Sequence, residues 1–323
     1  MKIDDLTLLV FVRDRHYNLS RIGRYYNDLD CKKIVFDTSK VKYTNVSMLE
    51  NAGFEYIYEG PTPYPEVFYK ASKLVETEFV VDSPDDDISL KSSLKQCVEF
   101  LRENKDYSAC DGEFVWLDPA NRALFTKHPN KFFGQLKRQF YSTSPMERLK
   151  FLFTCTMSKN SSVIRTETFK LIYKIFDQNP QYRPICFNDR IFAYITAVEG
   201  NIKTLPLVYQ VRSHTPADSL QQKACNDKEL AEELKQDVRM IDYLDEYHLK
   251  PVVDLLIEKE KDISFESALQ TSIKLLKDQL ESSGDACCTD TSEWPERDGR
   301  HRKEYANDVS YICQLMLDDC VNK

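Results

Sequence analysis

The first hundred residues alternate between short apolar runs and amphipathic stretches. Leu6–Val12 is almost continuously apolar, the pattern of a strand buried on both faces. Asn18 to Asn27 then reads as a helix, Lys33–Asp37 as a second strand, and Asn45–Asn51 as a short helix closed by Gly53. Phe54–Tyr58 is a third strand; Pro65 suits the first turn of a helix running to about Val75, and Glu78–Val81 is a fourth strand. That strand leads into Asp82-Ser83-Pro84-Asp85-Asp86-Asp87, and the next helix, Ser89 to Asn104, carries Leu90, Leu94, Val98 and Leu101 on one face. Tyr107–Cys110 and Glu113–Leu117 are further strands. Strand–helix units of this length predict an α/β fold, with a mainly parallel twisted sheet flanked by helices in a Rossmann-like arrangement.

The middle of the chain is mixed. Ser144-Pro145-Met146-Glu147 is a helix start, with a capping Ser, Pro at the first position and Glu three residues on. Thr166–Asp177 and Asn188–Glu199 are helices, the second closed by Gly200, and Ile202–Leu205 and Val208–Val211 return as strands. Beyond about Pro216 the pattern turns helical: Leu230, Leu234, Val238, Ile241 and Leu244 share one face, and Leu269, Ile273, Leu276 and Leu280 another. Ser282–Asp298 reads as a loop, and Val309, Ile312, Leu315 and Met316 mark a last helix. The chain therefore divides into residues 1–215 and a helical C-terminal appendage, 216–323.

Composition narrows the function classes. With 323 residues the core needs no disulfide staples. Lys+Arg 44 against Asp+Glu 52 gives net −8, which argues against non-specific binding to nucleic-acid backbone or an anionic membrane. No GxGxxG and no GxxxxGK[ST] occurs, which removes the dinucleotide fingerprint and the P-loop. No run approaches the ~18 apolar residues of a membrane span. The acidic start, Met1-Lys2-Ile3-Asp4-Asp5, reads as the approach to a strand and not as a signal peptide. Ten cysteines are scattered without a CxxC, as expected of reduced thiols in a cytoplasmic protein.

The sharpest chemical feature is Asp85-Asp86-Asp87 directly after an apolar strand. Ligands of open α/β sheets bind beyond the carboxyl ends of the strands. Adjacent carboxylates there repel one another and call for water or a cation; Mg²⁺ and Mn²⁺ take hard oxygen ligands and bridge carboxylates to substrate phosphates. Arg13-Asp14-Arg15 follows strand one and Asp37-Thr38-Ser39 follows strand two, on the same expected edge. Arginine suits phosphate or a planar base, and Asp suits a ring N–H or a sugar hydroxyl. Asp189 at a helix start is a usable general base or a favourable charge at a helix N-terminus. Arg212-Ser213-His214 closes the last strand before the boundary, where His214 is a candidate metal ligand or an ordinary exposed histidine.

Several of these segments resemble a known family. LTLLVFVRDRHYNLSRIGRYYNDL, KIVFDTSK, KLVETEFVVDSPDDDI and the helix ending FLRENKDYSACDGEF are similar to nucleotide-sugar glycosyltransferases of the GT-A fold, in the bacterial and viral subgroup related to the large inverting family. FNDRIFAYITAVEGNIKTLPLVYQVRSH is similar to that subgroup's closing portion, so the likeness spans roughly residues 5–215. The subgroup carries Asn-Arg-Pro where this chain has Arg13-Asp14-Arg15. The resemblance implies that Asp37 contacts the base or ribose of a donor such as a UDP-sugar. The backbone near Val12 and the Arg13 side chain would line the same pocket, with Lys70 reaching the phosphates or ribose. Asp85 and Asp87 would take the outer positions of a DxD signature, with Asp86 an alternative in the register. Mn²⁺ or Mg²⁺ would sit on Asp85, Asp87 and His214, Asp189 would deprotonate an acceptor hydroxyl, and transfer would invert the anomeric centre. The acceptor is left open: a glycan, a lipid-linked sugar, a protein or, less in keeping with the acidic balance, DNA.

Two other readings compete. An Asp-nucleophile phosphatase would need a nucleophile pair after the first strand and a late Gly-Asp-x-x-x-Asp loop, and neither is present. A catalytically inactive GT-A-like binding or scaffold protein would not need Asp87, Asp189 and His214. The tail's apolar helix faces require cover, either from the first 215 residues or from a second copy in a homodimer.

Overall fold

The computed structural model describes residues 1–62, 66–118, 123–125, 140–153, 160–179, 185–213, 246–282 and 307–317. The chain opens with β1 (Lys2–Val12), α1 (Tyr17–Tyr26), β2 (Asp30–Asp37), α2 (Val46–Asn51), β3 (Phe54–Tyr58), α3 (Glu66–Ser72), β4 (Phe79–Pro84), β5 (Asp87–Ser89) and α4 (Lys91–Glu103). It continues through β6 (Tyr107–Asp118), β7 (Ala123–Phe125), α5 (Pro145–Phe153), β8 (Val163–Arg165), α6 (Thr166–Gln178), α7 (Ile185–Glu199) and β9 (Asn201–Ser213). The described tail holds α8 (Glu246–Lys259), α9 (Phe265–Ser282) and α10 (307–317).

The fold is α/β. The sheet runs β3-β2-β1-β4-β8-β6-β9-β5, with β7 on β6. β1 pairs in parallel with both β2 and β4, and β2 with β3. β8 lies antiparallel between β4 and β6, so β6 and its parallel neighbour β9 run the same way as β1. The carboxyl ends of β1, β2, β3, β4, β6 and β9 therefore open on one edge, as the strand–helix alternation predicts.

β1 is buried on both faces because its apolar residues are consecutive. Leu9 faces a core shared with Ile34, Phe36, Val80, Phe169, Tyr173, Phe192 and Ile195. Leu6, Leu8, Val10 and Val12 face the opposite core with Leu19, Ile22, Leu94 and Val98. The tail helices cover both sides. Leu249, Val252, Val253, Leu256 and Leu269 of α8 and α9 join the first core, and Ile312, Leu315 and Met316 of α10 join the second.

The structure departs from the expected elements in instructive places. The two strands foreseen at 107–110 and 113–117 are one, β6, whose register to β9 slips around Asp111 and Glu113. The intervening Gly112 is held by close approach: a Cβ there would stand 2.7 Å from the Leu207 carbonyl oxygen. The stretch after β4 is not one open loop. Asp87 begins β5, which pairs antiparallel with β9, Asp87 opposite Arg212 and Ile88 opposite Val211. Ile88 is fully buried, which explains why the chain turns back on itself there. β8 is three residues long and carries no alternation to betray it, and α8 contains Pro251 six residues in. The helix foreseen over Leu230–Leu244 and the loop over Ser282–Asp298 lie outside the described residues.

Candidate functional site

Four segments meet at the carboxyl edge of the sheet: the loop after β1, the end of β2, the Asp85–Asp86 turn between β4 and β5, and the end of β9. The loop after β1 is tight. Asp14 takes a φ of 54°, in the left-handed region that Asp tolerates better than most residues. Its amide donates to Ser39 Oγ at 2.8 Å, and its carboxylate accepts from the Lys40 amide at 2.9 Å. The turn thereby ties the β1 loop to the β2 loop and delivers Arg15 and His16 into the site.

Arg15 forks across the acidic turn. Its Nη2 meets Asp85 Oδ1, and its Nη1 donates to Asp86 Oδ2 at 2.7 Å. Asp85 is fully buried; Asn18 donates to its Oδ2 at 3.1 Å, and Arg21 donates to its backbone carbonyl at 3.2 Å. Burial pushes the Asp85 carboxyl up to about 6, although Arg15 pulls the other way. For Arg15, burial works against the charge, but Asp85 and Asp86 outweigh it and hold the guanidinium firmly protonated. Asp87 faces Arg212, whose Nε stands 3.6 Å from its Oδ2. Arg212 also lies over the Phe114 ring, 4.2 Å from the centroid.

Asp37, at the end of β2, is also fully buried. Its Oδ1 accepts from the Ser39 amide at 2.9 Å, and its Oδ2 from the Tyr56 hydroxyl at 2.5 Å, with His16 Nε2 2.9 Å from the same oxygen. Burial raises this carboxyl, but the hydrogen bonds from Ser39 and Tyr56 and the nearby His16 outweigh it, and the net shift is downward. Burial, and then the same hydrogen bond, push the Tyr56 phenol well up. Tyr43 completes an aromatic wall, its ring 5.2 Å from His16 and 6.5 Å from Tyr56.

The other expected site residues are placed as follows. The Val12 carbonyl accepts from the Thr38 amide at 2.9 Å and from its hydroxyl at 3.3 Å, closing the β1 and β2 ends together. Arg13 is exposed at the rim. Lys70 is exposed on α3 and pairs with Glu59 and Glu66, each at 3.1 Å. Asp189 falls within α7, four residues after its first, and its side chain lies outside the described residues, as does His214. Ser213, the residue before it, ends β9 one position beyond Arg212, the register partner of Asp87. The residues that sequence reasoning missed are partners: Tyr56 and His16 for Asp37, and Arg212 for Asp87. His16 stood beside the arginine loop, but nothing in FEYIY marked Tyr56.

The donor set suits a hard cation. Asp85, Asp86 and Asp87 offer only oxygens, and the side chains of Asp86 and Asp87 are 33% and 13% exposed against 0% for Asp85. Among the described residues no three His, Cys, Asp or Glu side chains converge into a ready-made cage. Mg²⁺-type ions commonly bind with one or two carboxylates, water and substrate phosphate, so these residues fit such an ion. Among the described residues Cys31, Cys97, Cys110 and Cys313 are free thiols, and no helix is long and apolar enough to cross a membrane.

No protein-family model and no curated protein matches the chain. Among solved structures it is similar to S. aureus TarS, at TM-score 0.43 and 16% identity over 87% of this chain, and it spans 55% of that one. It is also similar to S. aureus TarS 1-349 in complex with UDP, at TM-score 0.45 and 13% identity over 87% of this chain and 91% of that one. A third likeness is to mannosyltransferase PcManGT from Pyrobaculum calidifontis in complex with GDP-Man and Mn²⁺, at TM-score 0.43 and 12% identity over 98% of this chain and 86% of that one.

Proposed function

We propose that this chain is a GT-A-like glycosyltransferase that moves a sugar from a nucleoside-diphosphate donor, of the UDP-sugar class, to an acceptor hydroxyl with inversion. One observation carries the reading. Two buried carboxylates, Asp37 and Asp85, stand at the carboxyl ends of β2 and β4, the parallel strands on either side of β1, one among aromatic rings and one among arginines. A nucleoside diphosphate has this same polarity, a flat base at one end and an anionic diphosphate at the other.

In this reading Asp37 anchors the base and ribose end through His16 and Tyr56, beside the Val12 backbone and Arg13. Lys70 would reach the donor phosphates or ribose. The acidic turn would hold a divalent cation, Mn²⁺ or Mg²⁺, with His214 as the further ligand; Asp86 and Asp87 would serve in place of the expected Asp85 and Asp87, because Asp85 is fully buried under Arg15 and Asn18. That ion supplies Lewis-acid neutralisation of the diphosphate leaving group. Asp189 accepts the proton of the attacking hydroxyl. A single base and no covalent sugar intermediate give inversion. Residues 1–215 carry this site, and the described tail helices pack on the two cores of the sheet.

The test is calorimetry with UDP in Mn²⁺ and in EDTA, followed by UDP-sugar turnover. Binding should depend on the ion. Asp189→Asn should leave UDP affinity nearly unchanged and cut transfer by at least about two orders of magnitude. Equal UDP affinity in both buffers would remove the metal role. Wild-type transfer by Asp189→Asn would remove that residue from the proton transfer, because Asn keeps the size and loses the basicity.

A further inference from the structure

Resting on the donor-binding reading above, we propose that Arg15 is a resident counter-ion of the acidic turn, handed over to the donor diphosphate when a divalent cation takes its place. The planar guanidinium suits paired carboxylates and paired phosphate oxygens alike. Here it is forked across Asp85 and Asp86, and at 23% exposure it is reachable from the surface.

The two carboxylates differ in what holds them. Asp85 is fully buried, with Asn18 on its second oxygen and Arg21 on its carbonyl, so it stays in place. Asp86 is one-third exposed, and among the described residues Arg15 is what meets its carboxylate. The backbone that carries Arg15 is fixed on both sides. Asp14 is tied to Ser39 and Lys40, and His16 to Asp37. The movable part is therefore the long side chain of Arg15, not the loop.

Arg15 and a divalent cation compete for the carboxylate of Asp86. A cation arriving alone must displace a well-placed guanidinium. When a diphosphate arrives with it, the displaced guanidinium regains an anionic partner at the same edge. Linkage then requires cation and nucleoside diphosphate to bind cooperatively, each strengthening the other by the same factor. Removing Arg15 acts with opposite signs on the two: it frees the carboxylates for a cation alone and deprives the diphosphate of a donor.

The full-length chain, its Arg15→Gln variant and its Arg15→Lys variant should be compared in two measurements: Mn²⁺ binding alone, from the electron paramagnetic resonance of the free ion, and UDP binding with Mn²⁺, by calorimetry. Arg15→Gln should bind Mn²⁺ alone about fivefold tighter or more, and UDP with Mn²⁺ about fivefold weaker or more. Arg15→Lys, which keeps the charge and loses the fork, should move in the same two directions by less. It also carries the test if the Gln variant does not fold. A merely structural Arg15 would weaken both, and a bystander would change neither; either result overturns the proposal. A wild-type protein that binds no UDP under any condition overturns the donor-site reading instead.

Discussion

Asp85 shows at the level of one side chain why the site is tuned by burial. Its carboxyl rises from an ordinary 3.8 to about 6, chiefly because burial penalises the charge. Between those values the folded protein binds more protons than the unfolded chain, so stability falls as pH rises. The contribution is fully present below about 3.8 and lost as pH passes about 6. Asp85→Asn cannot titrate. Urea unfolding of both proteins from pH 4 to 6.5 should therefore show the variant gaining on the wild type by at least about 1 kcal/mol across the window. Parallel curves would mean that Asp85 stays ionised throughout. Asp37 has the opposite sign: its lowered carboxyl stabilises the fold above its unfolded value, and that stabilisation is lost as the pH falls through its folded value. The types and positions of these acids were plain in the sequence. Their protonation behaviour was not, because it depends on burial and on Arg15, Asn18 and Tyr56, which come from other elements.

Among the elements, α5 has its start written locally and completed from afar. Ser144 Oγ accepts the Glu147 amide at 3.2 Å, the cap expected from Ser-Pro-Met-Glu. The Glu147 carboxylate does not reach back to the cap, however; it pairs with Lys150 at 2.6 Å. The Ser144 amide donates instead to Ser142 Oγ at 3.1 Å, and Glu260, which follows α8, adds a carboxylate: Ser144 Oγ donates to Oε1 at 2.8 Å and the Met146 amide to Oε2 at 2.9 Å. A carboxylate at a helix N-terminus is favourable in charge as well as in hydrogen bonding. Glu260→Ala should cost about 1–2 kcal/mol in denaturant unfolding, and Glu260→Gln less. An unchanged midpoint for Glu260→Ala would show that Ser144 alone suffices. Sequence spacing predicted the helix and its Ser cap, but the distant carboxylate is a product of packing.

At the scale of the whole molecule, the helical tail is part of the core. Leu249, Val252, Val253 and Leu256 of α8 are buried against the same face that receives α6 and α7, and α10 is buried on the opposite face beside Tyr25. The described tail helices thus find their cover on the sheet body. Leu256→Ala empties a site with no exposure, so it should destabilise the whole chain by about 2–5 kcal/mol in one cooperative transition. A separate, earlier transition confined to the tail would show that α8 folds on its own account.

The sequence by itself determined the alternation of strands and helices, the edge on which the acidic turn opens, and the apolar faces that demand cover. These follow from local periodicity, because a run with six apolar residues in seven, as at Leu6–Val12, has few ways to avoid a buried strand. Tertiary structure alone decided that Asp87 belongs to a strand, that Arg15 rests on Asp85 and Asp86, and that Tyr56 and His16 hold Asp37. Each of those pairings joins residues on different elements, and only the closing of the sheet brings their charges within hydrogen-bond reach.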